Sequence, residues 1–137
     1  MIANVLDAHE IEYEVDDSGS FNVAHGSTTL VIEIFMDDQV GLMADFRAIL
    51  AENVDPGNIP AEAGLDMLAM NWSVPMGAVA LDAASGTLWY SYRIPAAMLT
   101  EEVAFLCMGY IADLADDLDD ELAELLPTRP RRRSSKK

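Results

Sequence analysis

The chain has 137 residues, with 8 Lys and Arg against 24 Asp and Glu, and its formal net charge is −16 at pH 7. This length is typical of one domain, and a composition of 51% hydrophobic and 23% charged residues excludes an unfolded polar chain. A surface this acidic repels phosphate groups, which disfavours nucleic acids and membranes as partners of the body of the protein.

The basic residues are concentrated at the C-terminal end. Residues 1–126 contain Arg47 and Arg93 together with all 24 acidic residues, a formal charge of −22. The other six basic residues are Arg129, Arg131, Arg132, Arg133, Lys136 and Lys137. We therefore expect a folded domain over residues 1–126 and a basic tail over 127–137. We expect the tail to be a disordered, solubilising arm, and its alternative role is contact with nucleic acid through the four arginines.

In the first third of the chain, hydrophobic periodicity predicts a helix followed by three strands. Ile2, Val5 and Leu6 share one side of the helix, and residues 11–15 alternate between apolar and acidic side chains, as in a half-buried strand. The run from Thr28 to Phe35 is rich in β-branched residues and predicts the best-buried strand. These elements are the helix over 2–9 and strands over 11–15, 21–23 and 28–35.

A second helix is predicted over residues 39–53. Its N-cap is Asp37 or Asp38, whose carboxylate can accept hydrogen bonds from the first-turn amides. Apolar residues recur at helical spacing along it, namely Val40, Met43, Phe46, Ile49 and Leu50. The turn sequence at 55–57 ends it.

The second half of the chain predicts a helix, two strands and a long helix. A helix opens at Pro60, and Leu65, Leu68 and Trp72 share one of its faces. Strands over 74–81 and 87–94 are joined by a loop that ends in Gly86. In the second strand, Leu88, Tyr90, Tyr92 and Ile94 point one way, and Trp89, Ser91 and Arg93 point the other. The last helix covers 100–126, with Thr100 at its start.

A search for catalytic chemistry favours a binding protein over an enzyme. Cys107 lies in an apolar stretch and is interpreted as a buried thiol. His9 and His25 have no nucleophile or metal-ligand partner nearby in sequence, and the acidic run 113–121 has the pattern of a solvated helix face instead of a calcium loop. We therefore predict no catalytic residues, no cofactor and no metal, with a metal-dependent enzyme as the least favoured hypothesis. The N-terminus does not have the pattern of a secretory signal, and we expect a cytoplasmic protein.

Four short motifs occur in an order that resembles one superfamily, the class I type III secretion chaperones and the related YbjN family. Residues 65–71 resemble its "LLxxN" helix end, and 76–82 resemble its "GAxxLD" strand. Residues 85–88 match the glycine turn that follows, and 92–95 match the strand exit "xxLP". The resemblance covers residues 2–126, and the basic tail falls outside it.

This resemblance implies an α+β fold in the order α-βββ-α(α)-ββ-α, with a twisted antiparallel sheet and helices packed on one face. It also implies a homodimer that binds extended segments of a partner protein through hydrophobic patches and strand edges, without ATP. From strand position we predict that Phe21, Val23, Met76 and Trp89 bind the partner. The two-faced front of the last helix predicts a dimer interface at Phe105, Met108 and Ala112. The alternative is a regulatory module, linked to sensory transduction or transcription, that acts through protein contacts and the basic tail.

Overall fold

Six antiparallel strands form one sheet in the order β1-β2-β3-β4-β6-β5. The computed structural model describes residues 1–26 and 28–126, with the backbone alone at 120, 121 and 123–125. The predicted basic tail, 127–137, lies outside the described residues. The elements are α1 (Ile2–Ala8), β1 (Glu14–Val15), β2 (Phe21–His25), β3 (Thr28–Asp37), β4 (Gly41–Ala51), α2 (Ala61–Ser73), β5 (Ala78–Asp82), β6 (Thr87–Pro95) and α3 (Glu101–Leu125).

The core lies between one face of the sheet and the helices α1 and α3. Successive side chains of a strand point to opposite faces, and the buried set follows this alternation: Leu30 and Ile32 of β3 pair with Ala48 and Phe46 of β4. From the helices, Leu6 of α1 and Ile111 of α3 complete the same cluster, and both are fully buried. The predicted α+β fold with a twisted antiparallel sheet is therefore confirmed. Among the described residues, no helix is long and apolar enough to cross a membrane.

The helix predicted over 39–53 is wrong, because this segment is the 11-residue strand β4. The helical spacing of Val40, Met43 and Phe46 coexists with an alternation of period two, in which Ala44, Phe46, Ala48 and Leu50 are buried. Pairing with both β3 and β6 selects the strand. The observed order is thus α-ββββ-α-ββ-α, with one strand more than predicted and a single helix where one or two were expected.

Asp37 does the predicted capping chemistry in a different setting. Its carboxylate accepts hydrogen bonds from the amides of Gln39 and Val40 at 2.8 and 3.1 Å, which lowers its pKa. These bonds organise the turn between β3 and β4, where Gly41 adopts a positive φ of 89° that side chains disfavour. A residue pattern read as a helix start is therefore the turn of a β-hairpin.

Most other predicted boundaries are close to those observed, except that the strand predicted over 74–81 begins at Ala78. Thr100 caps α3 by accepting a hydrogen bond from the Val103 amide at 3.1 Å, and β6 ends at Pro95. The strand predicted over 11–15 is limited to Glu14–Val15. It begins late because the Ile11 amide donates to the Leu6 carbonyl at 2.9 Å, which ties this stretch to α1.

Candidate protein-binding site

The outer edge of β2 is open at its C-terminal end. Strand β1 pairs with Phe21 and Asn22 alone, so that within the described residues no strand lies opposite Ala24 on that side. The Asp16 amide donates to the Ser20 carbonyl at 3.0 Å across the β1–β2 turn. Because backbone groups alternate between the two sides of a strand, the amide and carbonyl of Ala24 point to the open edge, and Ala24 is exposed. This edge can receive an added strand.

An apolar cavity of about 280 Å³ lies beside this edge on the core face of the sheet. Its walls come from β2, β3, α1 and α3, with His25 and Asp113 at the polar end. The apolar residues of the walls include Leu6, Val23, Leu30, Phe105, Met108 and Ala112. Gly109 of α3 opens the cavity further, since a Cβ atom at this position would meet nothing within 4 Å. The cavity therefore has room for an aliphatic side chain from outside the chain.

His25 lines this apolar cavity, and His9 contacts Phe105 of its wall. The ring of His9 stacks on Phe105 with 3.8 Å between centroids, and the Nε2 atom of His25 lies 2.8 Å from a carboxylate oxygen of Asp113. No acidic partner was predicted for His25 from its neighbours in sequence, and the fold supplies Asp113, which is 88 residues away. Both histidines thus make structural contacts with α3.

A second cavity, of about 730 Å³, flanks the same edge on the opposite face. Asn22, Ala24 and Thr29 form its floor, and three carboxylates line it, those of Asp7, Glu12 and Glu14. Tyr13 also lines it, and its pKa is raised by desolvation and by the nearby Asp7 carboxylate. None of the described lining residues is basic, so this cavity attracts cations.

At the opposite edge of the sheet, a side chain of α2 bonds the backbone of one β5 residue, Val79. The Oδ1 atom of Asn71 accepts a hydrogen bond from the Val79 amide at 2.7 Å, and its Nδ2 atom donates to the Val79 carbonyl at 3.3 Å. One amide side chain therefore satisfies both outward backbone groups of Val79. Asn71 ends the motif at 65–71, and Val79 belongs to the motif at 76–82, so that two motifs singled out in sequence meet here.

Helix α2 also presents an uncovered apolar stripe. Leu65, Leu68 and Trp72 are 65%, 68% and 93% exposed, whereas Met67 and Met70 turn toward the core. The face predicted for these three residues is confirmed, and it points to solvent. Large exposed apolar surfaces of this kind mark interaction sites.

On the face of the sheet opposite α1 and α3, the two arginines of residues 1–126 converge on Asp45. This carboxylate is 1% exposed and lies 3.1 Å from Arg47, 3.4 Å from Arg93 and 2.7 Å from the Ser91 hydroxyl. Arg47 also pairs with Glu33 at 2.7 Å and lies over the ring of Trp89 at 4.9 Å. Burial of Asp45 is possible because three donors replace its lost water.

The predicted partner-binding residues do not form one site. Phe21 and Val23 lie on the core face of β2, and Val23 is 7% exposed, although it lines the apolar cavity. Trp89 lies on the opposite face of β6 beneath Arg47, and Met76 precedes β5 and accepts a hydrogen bond from Tyr90 through its carbonyl. These four positions are therefore distributed over three parts of the sheet.

The predicted dimer interface needs correction. Met108 and Ala112 are 4% and 3% exposed and belong to the wall of the apolar cavity, so they have almost no surface to offer a second chain. Phe105 is 42% exposed, but its ring already stacks on His9. Burial on both sides of α3 arises within one chain, because α1 and the sheet both pack against it.

Sequence reasoning did not assign roles to Ala24, Gly109 or the carboxylates of the acidic cavity. The alternation of apolar and acidic residues over 11–15 could have indicated the acidic cavity, because it places Glu12 and Glu14 on one face. Gly109 carried a second signal, since glycine destabilises a helix interior and needs a reason to be there. Cys107 is buried as predicted, and desolvation raises the pKa of its thiol. Within residues 1–26 and 28–126, no group of three potential ligands could hold a metal ion.

Comparison with solved structures shows which proteins share this fold. A chain of the HopA1–SchA chaperone–effector complex matches 87% of this chain and 90% of its own length, with 16% identity and a TM-score of 0.64. A chain of the ExoU–SpcU complex from the Pseudomonas aeruginosa type III secretion system matches 92% of this chain and 98% of its own length. The identity is 18% and the TM-score is 0.60. No protein-family model and no curated protein sequence matches the chain.

YbjN from E. coli, a proposed transcription regulator, matches 93% of this chain and 94% of its own length. The identity is 18% and the TM-score is 0.63. The resemblance predicted from the four sequence motifs is therefore confirmed at the level of structure, and the chain has the fold seen in type III secretion chaperone complexes and in YbjN.

Proposed function

We propose that this protein is a non-enzymatic, chaperone-like binding protein that holds an extended segment of a partner protein on the open edge of β2. The observation that carries the proposal is the exposed Ala24 edge between two cavities, whereas at the other edge Asn71 already bonds the backbone of Val79. An added strand would gain main-chain hydrogen bonds to Ala24 and side-chain contacts in the cavities. The chaperone–effector complexes among the structural neighbours support a protein as the partner.

The proposal includes a homodimer formed through the apolar stripe of α2, in place of the α3 interface expected from sequence. A protein whose residues 1–126 carry a formal charge of −22 must associate with itself through a surface of low charge. In its 13 residues α2 contains two charged ones, Glu62 and Asp66, and it exposes Leu65, Leu68 and Trp72. A two-fold interface buries the same stripe on both copies. The proposed compartment is the cytoplasm, where the lone thiol Cys107 stays reduced.

Binding of peptides to Ala24→Pro tests the proposed edge. Proline removes the outward amide, which an added strand needs, and it is tolerated on edge strands because that amide is outside the existing ladder. The matched control Ala24→Val keeps the amide. We expect extended peptides selected from an immobilised array to bind the wild type and Ala24→Val, and to bind Ala24→Pro roughly tenfold more weakly. Equal binding by Ala24→Pro, with a native circular-dichroism spectrum, would show that the β2 edge is not the site.

The alternative of a transcription-linked regulatory module is favoured by the similarity to YbjN alone. In that role the basic tail would contact nucleic acid, as predicted for Arg129, Arg131, Arg132 and Arg133. Removal of residues 127–137 separates the two functions. Loss of DNA binding with unchanged peptide binding would support regulation, whereas a full-length chain that binds peptides and no DNA supports the chaperone-like role.

A further inference from the structure

The two cavities beside the β2 edge have opposite chemistry and lie on opposite faces of the sheet. Val23 and His25, on the core face, line the apolar cavity, whereas Asn22, on the other face, lines the acidic one. Ala24 and Ile11 border both cavities, so the open edge runs between them. A segment that pairs with Ala24 therefore directs the side chain opposite Ala24 to the acidic cavity and the two neighbouring side chains to the apolar cavity.

The chemistry of each cavity limits the side chains that fit it. The apolar side is closed by Phe105 and Met108 and widened at Gly109, which suits an aliphatic group and disfavours an unpaired charge. The other side is lined by Asp7, Glu12 and Glu14, which favour Lys or Arg by charge complementarity.

We propose that the β2 edge selects partner segments in which aliphatic residues alternate with Lys or Arg. This inference rests on the proposed function and adds to it the chemical class of the partner segment. The net charge of residues 1–126 attracts any basic chain, but the alternation is imposed by this edge, where an apolar and an acidic wall face the two sides of one strand. A segment with the same residues in two separate blocks cannot satisfy both walls at once.

Three labelled peptides of about eight residues, the length of an ordinary strand, test the proposal with the full-length chain. They are an alternating Val–Lys peptide, a peptide of the same composition with the Val and Lys residues in two blocks, and an alternating Val–Glu peptide. We expect fluorescence anisotropy to show that the alternating Val–Lys peptide binds roughly tenfold more tightly than either of the others. Equal affinity for the block peptide would overturn the proposal.

A charge-reversal variant shows whether the acidic wall is responsible. In the double variant Glu12→Lys with Glu14→Lys, we expect the preference to reverse toward the Val–Glu peptide. The matched control Asp38→Lys with Glu52→Lys makes the same change in net charge at exposed positions outside α2 and both cavities, and should leave the order of affinities unchanged. Equal effects of the two double variants would attribute the preference to overall charge and overturn the proposal.

The apolar wall is tested by Gly109→Leu, which places a side chain in the open part of the cavity. We expect it to weaken binding of the Val–Lys peptide roughly tenfold while the ratio of Val–Lys to Val–Glu affinity stays the same. Unchanged affinity would show that the cavity does not receive the aliphatic residues.

These outcomes are distinguishable from failure of the proposed function. Peptide binding that Ala24→Pro abolishes, but that is indifferent to alternation, would leave the β2 edge as the site and reject the selection rule. Binding that Ala24→Pro leaves intact would reject the edge itself, and with it both proposals.

Discussion

At the scale of single residues, some acidic side chains stabilise turns by accepting hydrogen bonds. Asp16 accepts hydrogen bonds from the amides of Ser18 and Ser20 and from the side chains of Ser18 and Asn22, and these bonds lower its pKa to about 2. A carboxyl whose folded pKa is depressed stabilises the native state above its ordinary pKa of 3.8, and this contribution is lost as the pH falls toward 2. The turn role of Asp16 was predictable, because Asp precedes Ser and Gly in such turns.

The sequence pattern did not indicate that Asp45 is buried and contacts Arg47, Arg93 and Ser91. We expect Asp45→Ala to lower the free energy of unfolding by about 1–3 kcal/mol, because it leaves the Ser91 hydroxyl and two guanidinium groups without their shared acceptor. The estimate is modest because the Arg93 side chain is 63% exposed and water can replace part of its contact. Urea denaturation measures the change, and Asp17→Ala, at an exposed turn position, is the control. An effect no larger than that of the control would mean that the network contributes nothing to stability.

At the scale of elements, local pattern determined the type of most segments and failed at β4. The alternation in β6, the cap of α3 and the stop at Pro95 are all set by neighbours in sequence, and these predictions are confirmed. Residues 41–51 satisfy a helical and a strand period at once, so that their partners decide between them. One of those partners, β6, is distant in sequence, and a local pattern contains no information about it.

The attachment of α2 to the sheet depends on one side chain, which gives an element-scale prediction. In Asn71→Ala the Val79 amide loses its acceptor, and we expect its hydrogen-exchange protection to fall about tenfold or more. Ser73→Ala, which removes a hydroxyl that bonds the Met70 carbonyl in the last turn of the same helix, is the control. Retained protection at Val79 in Asn71→Ala would mean that α2 is held to β5 by its apolar contacts alone.

At the scale of the whole molecule, the α2 stripe and the β2 edge lie at opposite ends of the strand order. Self-association through α2 therefore leaves the proposed binding edge of each copy free. Two such edges in one dimer would bind two segments of a long partner with a higher effective concentration than either edge alone. The open edge of β2 and the apolar stripe of α2 can thus both be used within one dimer.

Oligomeric state in solution tests this arrangement. We expect light scattering to give a dimer for the wild type and a monomer for Trp72→Asp, because a carboxylate in the centre of an apolar interface is strongly destabilising. Met98→Asp, at a residue 65% exposed outside α2, is the control and should remain a dimer. A monomeric wild type, or a dimer that Trp72→Asp leaves intact, would remove α2 as the interface, and a monomer produced by Phe105→Asp would restore α3.

The sequence by itself determined the α+β class, the superfamily resemblance, the buried thiol of Cys107 and the shared face of Leu65, Leu68 and Trp72. These follow from local periodicity, turn chemistry and motif order, which are properties of neighbouring residues. The tertiary structure alone decided that residues 41–51 are a strand, that Met108 and Ala112 face the core, and that Asn71 bonds Val79 at one sheet edge while Ala24 is open at the other. The physical reason is that burial and edge pairing depend on contacts between residues far apart in the chain, such as those joining β4 to β6 and α3 to β2.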